Sequence, residues 1–286
     1  MRSGFIAVAG RPNVGKSTLV NALCGSKVAI VSDKPQTTRR RIFGIANGEG
    51  HQLVLADLPG FQRPRDLLTE HLQRTVDQAF EEVDGVLFVL DCRDRIGAGD
   101  RFIAERVFAL GVPVVIALNK VDRLKPGHIA SQMQTGANLG AFKALHPVSA
   151  KTGDGVGELR AELVELLPEG PLYFPLDQRS DVEQDVQIAE LVREKALELT
   201  RDELPHAITV EVEEVVEAIV RAVIYVETDS QKQIVIGRAG TMVREIGMRA
   251  RPEVEALLGR KVFLELRVKV RPKWRRDAAM LDRLGI

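Results

Sequence analysis

Gly10-Arg11-Pro12-Asn13-Val14-Gly15-Lys16-Ser17, with Thr18 directly behind it, is the stretch on which the reading of this chain turns. It fits the spacing G-x-x-x-x-G-K-[ST], and its flanks suit it. The apolar run at 4–9 (GFIAVA) reads as a buried strand, and 17–23 (STLVNAL) reads as the first turns of a helix. A loop between such a strand and helix turns its backbone N–H groups toward a di- or triphosphate at the helix N-terminus. There Lys16 reaches the β and γ phosphates, and the Ser17 hydroxyl binds Mg²⁺. A bare match to the spacing can be accidental; the strand before it and the helix after it argue against accident.

Three further strings bear on which nucleotide is bound. Asp57-Leu58-Pro59-Gly60 follows the apolar run 52–56. It suits a carboxylate at a strand end that holds the Mg²⁺ shell through water, with Gly60 letting the backbone approach the γ-phosphate. Asn119-Lys120-Val121-Asp122 follows the run 112–118. The Asp122 carboxylate can accept two N–H bonds, from guanine N1 and from its exocyclic amine. Adenine offers neither in that geometry and would leave a buried acceptor unpaired, which is costly. Ser149-Ala150-Lys151 follows 145–148 and would close over the base. Any one of these strings can be read as a strand-end turn, and D-x-x-G alone reads equally either way. All four in order, each behind an apolar strand, imply a guanine-nucleotide-binding domain of the P-loop type.

The chain has 286 residues, 45% of them apolar and 28% charged, as in an ordinary water-soluble protein of two domains. The formal net charge is zero, but it is unevenly spread. Residues 177–230 carry 5 basic and 15 acidic side chains, and residues 231–286 carry 14 and 6. The basic C-terminal segment suggests a polyanionic partner. Cys24 and Cys92 have no His or Cys near them in sequence and are expected as reduced core thiols. No apolar run approaches the roughly 18 residues that would span a bilayer, and no signal peptide is read. The expected location is the cytoplasm, with at most peripheral contact at the inner face of the cell membrane.

Strands alternate with helices through the first half, which predicts an α/β fold with a doubly wound, mostly parallel sheet. The strand candidates 5–9, 53–56, 86–90, 112–118 and 145–148 are near-continuous apolar runs, as expected for strands buried on both faces. Leu68, Leu72, Val76, Phe80 and Val83 recur at helical spacing and predict a helix whose stripe packs in the core. A last helix at 158–167 is followed by Pro168, Gly170, Pro171 and Pro175. The expected division is a GTPase domain at 1–170, a linker at 171–180 and a smaller α+β domain at 181–286. The second domain should hold a helix at 183–200, strands at 207–215 and 218–227, and a helix-like stretch ending near 246. A short helix at 252–258, a strand at 262–270 and a basic tail complete it.

Gly237-Arg238-Ala239-Gly240 is a G-x-x-G between two expected helices. Glycines there let a loop lie flat against a nucleic-acid backbone, where Arg238 and Lys232 can meet phosphates. Ile234-Val235-Ile236 before it would floor an apolar groove for unstacked bases. Alone, G-x-x-G is more readily a tight helix–helix turn. The order helix, two strands, helix, G-x-x-G, helix, strand, together with the local positive charge, predicts a KH-type module, which clamps about four nucleotides of single-stranded RNA.

With these strings in hand, the whole chain resembles the Era family of bacterial GTPases. The resemblance rests on G-R-P-N-V-G-K-S-T at 10–18, P-Q-T-T-R at 35–39, D-L-P-G at 57–60, N-K-V-D at 119–122 and S-A-K at 149–151. In the second domain it rests on L-P-H-A-I-T-V at 204–210, D-S-Q-K at 229–232, I-V-I-G-R-A-G at 234–240 and V-K-V with nearby Trp274-Arg275. It implies a monomeric GTPase that binds GTP or GDP with Mg²⁺ and assists maturation of the small (30S) ribosomal subunit. It also implies a KH domain that binds the 3′ end of the 16S ribosomal RNA through residues such as Lys232, Gly237, Arg238, Ala239 and Gly240, and an association with the inner membrane face.

For the metal, Thr37 and Thr38 are both placed to sense the γ-phosphate, and the resemblance favours Thr38. Arg39, Arg40 and Arg41 read equally as an RNA contact or a solvated face. Phe61 stands where many GTPases carry a glutamine that orients the attacking water. A phenyl ring cannot do this, so intrinsic hydrolysis should be slow, or the water must be held by backbone, ion or partner. Relatives in which an asparagine oxygen helps hold K⁺ beside the phosphates make Asn13 a candidate K⁺ ligand; its plainer reading is a loop-stabilising side chain. Two functions stay open: a switch reset by GTP hydrolysis, and a passive RNA-binding assembly factor whose nucleotide is structural. Lys16, Ser17 and Asp57 favour the first and Phe61 gives weight to the second. A protein-binding role for the second domain is a third reading, disfavoured by the positive charge and the G-x-x-G.

Overall fold

The computed structural model describes residues 1–34, 36–61 and 64–286; Pro35, the first residue of the P-Q-T-T-R string, lies outside the described residues. Contacts divide the chain into two compact units. The first comprises 1–31, 38–64 and 69–181, and the second comprises 32–37, 65–68 and 182–286.

The first unit contains β1 (Arg2–Ala9), α1 (Lys16–Cys24), β2 (Ile42–Gly48), β3 (His51–Asp57), most of α2 (Leu67–Ala79), β4 (Gly85–Asp91), α3 (Ala98–Phe108), β5 (Val114–Asn119), α4 (Pro126–Gly136), β6 (Ala144–Pro147) and α5 (Val156–Leu166). Six strands form one sheet in the order β2-β3-β1-β4-β5-β6, parallel except for β2. Alternation along β1 shows how the sheet is sealed on both sides. Ile6 and Val8 enter the cluster with Leu19, Val20, Leu159 and Leu163 of α1 and α5. Ala7 and Ala9 enter the opposite cluster with Val76, Ile103 and Val107 of α2 and α3. Both faces are thus apolar, as the continuous runs require. The doubly wound sheet brings the C-terminal ends of β1, β3, β5 and β6 to one edge, where ligands of such folds are received.

Strand β2 is absent from the sequence-based expectation. Its run 42–48 (IFGIANG) contains two glycines and an asparagine, which dilute the strand signal. It is antiparallel and lies at the sheet edge, and the segment that reads as a linker covers that edge. The Arg179 carbonyl accepts from Ile45 N (2.9 Å), the Asp181 carboxylate accepts from Phe43 N (2.8 Å), and Gln52 bonds Tyr173 and Phe174. Capping the edge removes an exposed row of unpaired backbone groups.

The second unit holds α6 (Gln184–Leu199), the one-turn α7 (Leu204–Ala207), β7 (Thr209–Val216), β8 (Ile219–Val226), α8 (Asp229–Ile236), α9 (Thr241–Leu258), β9 (Phe263–Val270) and α10 (Ala278–Leu284). Its sheet runs β7-β8-β9, with β7 antiparallel and β9 parallel to the central β8. Val192 and Ala196 of α6, Val235 of α8 and Ile246 and Ala250 of α9 pack on Ala222, Ile224 and Val226. Two helix expectations change. The stretch to 246 and the separate helix at 252–258 are one helix, α9, with Pro252 inside it. Proline removes one backbone donor and crowds the carbonyl four residues back, yet Ile246, Ala250 and Val254 continue one buried face across it. Helix α10 is also new: Asp277 caps it by accepting from Met280 N, and Met280, Leu281 and Leu284 are buried.

Trp274 is fully buried, and its indole Nε1 donates to the Ala207 carbonyl at 2.8 Å. Truncation leaves a large cavity and an unpaired carbonyl. Trp274→Ala is expected to cost about 3–5 kcal/mol, read as a lower urea midpoint for the second unit's unfolding.

Candidate nucleotide and nucleic-acid sites

The phosphate-loop candidates Gly10 to Thr18 connect β1 to α1, so the N–H groups of the first helical turn face the loop. Gly15 caps α1 at φ 98°, and a Cβ there would lie 2.4 Å from Asn119 Nδ2. Both the dihedral and the close approach require glycine. Val14 and Leu58 are core residues, so each offers only its backbone to a phosphate. Lys16 Nζ donates to the Gly10 and Arg11 carbonyls, each at 3.2 Å, and so spans the loop. Burial pushes its pKa down to about 8, partly offset by Asp57. Arg11 turns its guanidinium away: Nε donates to Asp100 at 2.8 Å and Nη2 to Asp94 at 3.4 Å.

Three oxygen-bearing side chains converge beside this loop. Ser17 Oγ donates to Asp57 Oδ2 at 2.6 Å, Thr38 Oγ1 donates to the same oxygen at 3.4 Å, and the two hydroxyls are 3.0 Å apart. The Thr37 hydroxyl instead donates to the Lys34 carbonyl at 2.6 Å. Asp57 is completely buried, and burial raises its pKa despite bonds from Ser17 and Thr38 and the charge of Lys16. Its Oδ1 is buried with no hydrogen-bond partner among the described residues. Hard oxygen donors with one oxygen left over fit a hydrated Mg²⁺, which prefers carboxylates, hydroxyls, waters and phosphate oxygens. Gly60, at the end of this string, abuts Pro12 of the phosphate loop.

Asn119 is a hub at the end of β5. Its Nδ2 donates to the Val14 carbonyl (2.9 Å), while its Oδ1 accepts from Lys120 N (2.8 Å) and Ala150 N (3.0 Å). One amide thus joins the phosphate loop, its own string and the Ser149-Ala150-Lys151 loop. Ser149 Oγ donates to Asp122 Oδ1 at 2.7 Å, which orients the carboxylate and leaves lone pairs on both oxygens for a base. Lys120 donates its ammonium to the Asn13 carbonyl and, at 2.7 Å, to Asp91 Oδ2. Lys151 is exposed. The order of motifs did not disclose Asp91, Asp94 or Asp100. Asp91 could have been found by the rule that flagged Asp57, a carboxylate directly after a buried strand.

Phe61 does not face an open site. It is buried, its ring stacks on Phe80 at 5.7 Å between centroids, and it joins the core cluster under the sheet. Among the described residues, no group of three or more His, Cys, Asp or Glu is placed to hold a metal.

In the second unit, Gly237 lies at φ 73°, where a Cβ would come within 2.7 Å of the Met242 backbone nitrogen. Ala239 (φ 51°) and Gly240 (φ 77°) also have left-handed backbones. The Ile234-Val235-Ile236 expectation is corrected: α8 is helical, so successive residues point about 100° apart and cannot share one floor. Val235 is fully buried while Ile234 is 55% exposed. Fewer basic side chains of the C-terminal segment stand free than its sequence suggests. The acidic and basic segments fold together: Arg283 pairs with Glu211, Lys269 with Glu213 and Arg275 with Glu227, while Arg271 pairs within the basic segment with Asp277. Much of the C-terminal positive charge is spent inside the unit. Among the described residues of the C-terminal segment, Lys232, Arg238, Arg244, Arg260, Lys273 and Arg276 have no ion-pair partner, and Lys232 and Arg238 are the candidate phosphate contacts.

A family model described as a 50S ribosome-binding GTPase matches residues 5–120, and a KH domain model matches residues 203–275. The chain is 44% identical to the GTPase Era of Mycolicibacterium smegmatis over 99% of this chain and 98% of that protein. It is 41% identical to the GTPase Era of Heliobacterium modesticaldum over 100% and 97%. A crystal structure of Era in complex with MgGDPNP and nucleotides 1506–1542 of 16S ribosomal RNA superposes with a TM-score of 0.94 at 36% identity, covering 100% of this chain and 99% of that one.

Proposed function

The chain belongs to the Era family of GTPases, and from that premise we propose that it is a GTP-hydrolysing switch that binds the 3′ end of 16S ribosomal RNA and assists assembly of the small ribosomal subunit. Its GTPase activity follows from the family. The observation that carries the RNA reading is the match along the whole chain to an Era bound to a 16S fragment. The model that names the 50S subunit covers only 5–120, the part shared by many GTPases, so it carries less weight.

In this reading Gly10 to Thr18 cradle the phosphates and Lys16 meets the β and γ groups. Asp57 to Gly60 follow the γ-phosphate, and Asn119, Lys120, Asp122, Ser149, Ala150 and Lys151 enclose guanine. Ser17 and Thr38 are the side-chain ligands proposed for Mg²⁺, with Asp57 acting through water. When bound, Mg²⁺ neutralises charge on the β and γ oxygens. The distances among Ser17, Thr38 and Asp57 support Thr38 over Thr37. Release of Thr38 and Gly60 after hydrolysis loosens both loops, and RNA affinity changes with them.

The test is the affinity for a short RNA copying the 16S 3′ end, measured with a GTP analogue and then with GDP. Selective binding that depends on the nucleotide is expected. Equal binding in both states would favour the passive assembly factor, for which the burial of Phe61 speaks. Arg238→Ala is expected to weaken RNA uniformly across sequences and to lower the slope of log affinity against log salt by about 0.7.

Asn13 remains our candidate K⁺ ligand. Its backbone is left-handed at φ 64° within the phosphate loop. Hydrolysis should be faster in K⁺ than in Na⁺ at equal ionic strength, and equal rates would remove the assignment. The finer readings of location and assembly are a cytoplasmic monomer with peripheral contact at the inner membrane face. No helix among the described residues is long and apolar enough to cross a membrane. Co-sedimentation with anionic vesicles tests the membrane contact.

A further inference from the structure

Asp91 ends β4 and stands in register with Asn119, the first residue of the guanine string, on the neighbouring strand β5. Cys92 N donates to the Asn119 carbonyl at 2.8 Å, so the two strand ends are locked together at this point. The Asp91 side chain is 4% exposed. Its Oδ1 accepts from Arg93 N and Arg93 Nε, each at 3.0 Å, and its Oδ2 accepts from Arg93 Nη2 and Lys120 Nζ, each at 2.7 Å. One carboxylate therefore serves two cations and spends both oxygens on them. Burial alone would raise its pKa; the bonds from Arg93 and Lys120 outweigh burial and hold it below the usual carboxylate range.

Lys120 is the informative partner. Its backbone is left-handed at φ 70°, which carries a cost for a residue with a side chain. Its ammonium bridges Asp91 and the Asn13 carbonyl of the phosphate loop. Asn13 is itself left-handed, at φ 64°. Two left-handed backbone positions, one in each nucleotide-binding string, are thus joined by one ammonium. A lysine stem has four rotatable bonds, and holding it in one place costs rotamer entropy. The Asn13 carbonyl alone is a neutral acceptor. The charged, buried Asp91 supplies the stronger of the two bonds and comes from a rigid strand end.

We infer that Asp91 is a positioning residue for guanine-nucleotide binding: it anchors Lys120, and through Lys120 it holds the phosphate loop and the guanine string in mutual register. This inference rests on the guanine-site reading above. Arg93 serves as the internal control, because it shares the same carboxylate, is more exposed (37%), and makes no hydrogen bond or ion pair with either string, reaching Asp122 only through its charge.

The test is the rate of GDP release from the full-length protein, followed with a fluorescent GDP analogue, for D91N, R93M, K120M and D91N/K120M. D91N is expected to release GDP at least 10-fold faster, with R93M within twofold of the parent. The double variant should release at the K120M rate, because without the ammonium Asp91 has nothing left to position. Multiplicative effects of D91N and K120M, or an R93M effect equal to that of D91N, would overturn the inference and leave Asp91 a general stabiliser. If K120M itself leaves release unchanged, the guanine-site reading fails first, which is a distinct result. Should D91N not fold, D91E carries the test. It keeps the charge but displaces it by one methylene, and should speed release in the parent and not in the K120M background.

Discussion

Asp122→Asn is expected to invert the base preference of the nucleotide site. The carboxylate of Asp122 is oriented by Ser149 Oγ at 2.7 Å and keeps acceptor capacity on both oxygens. Guanine offers two donors to it, N1–H and the exocyclic amine. An asparagine amide presents one donor and one acceptor, so guanine would lose one bond and set its amine against the amide NH₂. Sites built to hydrogen-bond a substrate group reject the wrong partner by about 10⁴-fold, and an unpaired buried group costs about 1–3 kcal/mol. Affinity for GDP should fall by about 10³-fold or more. Xanthine nucleotides carry a carbonyl where guanine has its amine and should bind the variant better than guanine nucleotides do. Equilibrium titration with GDP and XDP reads both changes. A variant that still prefers GDP would remove Asp122 from the base contact.

The second large effect is expected at Asp57. This carboxylate is fully buried, with one oxygen shared by two hydroxyls and the other without a partner among the described residues. Without a divalent ion such a group is desolvated and poorly paired, a destabilising arrangement. Asp57→Asn keeps the shape and removes the charge. The nucleotide-free variant should therefore be no less stable than the parent in thermal unfolding. Its Mg²⁺-dependent gain in GTP affinity should vanish, and hydrolysis should fall by about 10²-fold or more, as for loss of an electrostatic group that acts on the transition state. A site that binds at the expense of its own fold predicts this opposition of signs. A variant that is unstable without nucleotide, yet still responds to Mg²⁺, would make Asp57 a structural residue.

The four nucleotide strings were legible because each is a local rule. Glycine spacing, a lysine at a helix start and a carboxylate after a buried run are written in consecutive residues, and the physics they serve acts within one loop. The strands that carry them were legible too, because both faces of the sheet are covered and their runs are apolar throughout. Strand β2 escaped for the opposite reason: it lies at the edge, is antiparallel and is diluted by glycine. The helix across Pro252 escaped because burial of Ile246, Ala250 and Val254 outweighs the lost backbone donor and the crowding of the ring against the preceding turn.

Pairings between distant residues needed the fold. Thr38, and not its neighbour Thr37, turns its hydroxyl to Asp57, nineteen residues away, and no local pattern encodes that. The same holds for Asp91 and Lys120, which meet because β4 and β5 are neighbours in register. The charge split pointed to a polyanionic partner but overstated the free basic surface, for a related reason. Opposite charges far apart in the chain look like an open basic surface, but antiparallel β7 and parallel β9 flank β8 and let Glu213 and Lys269 meet across the sheet. Periods and spacings report forces that act along the backbone. Partnerships across strands, and the sign of the surface that remains, follow from which segments the sheet sets side by side.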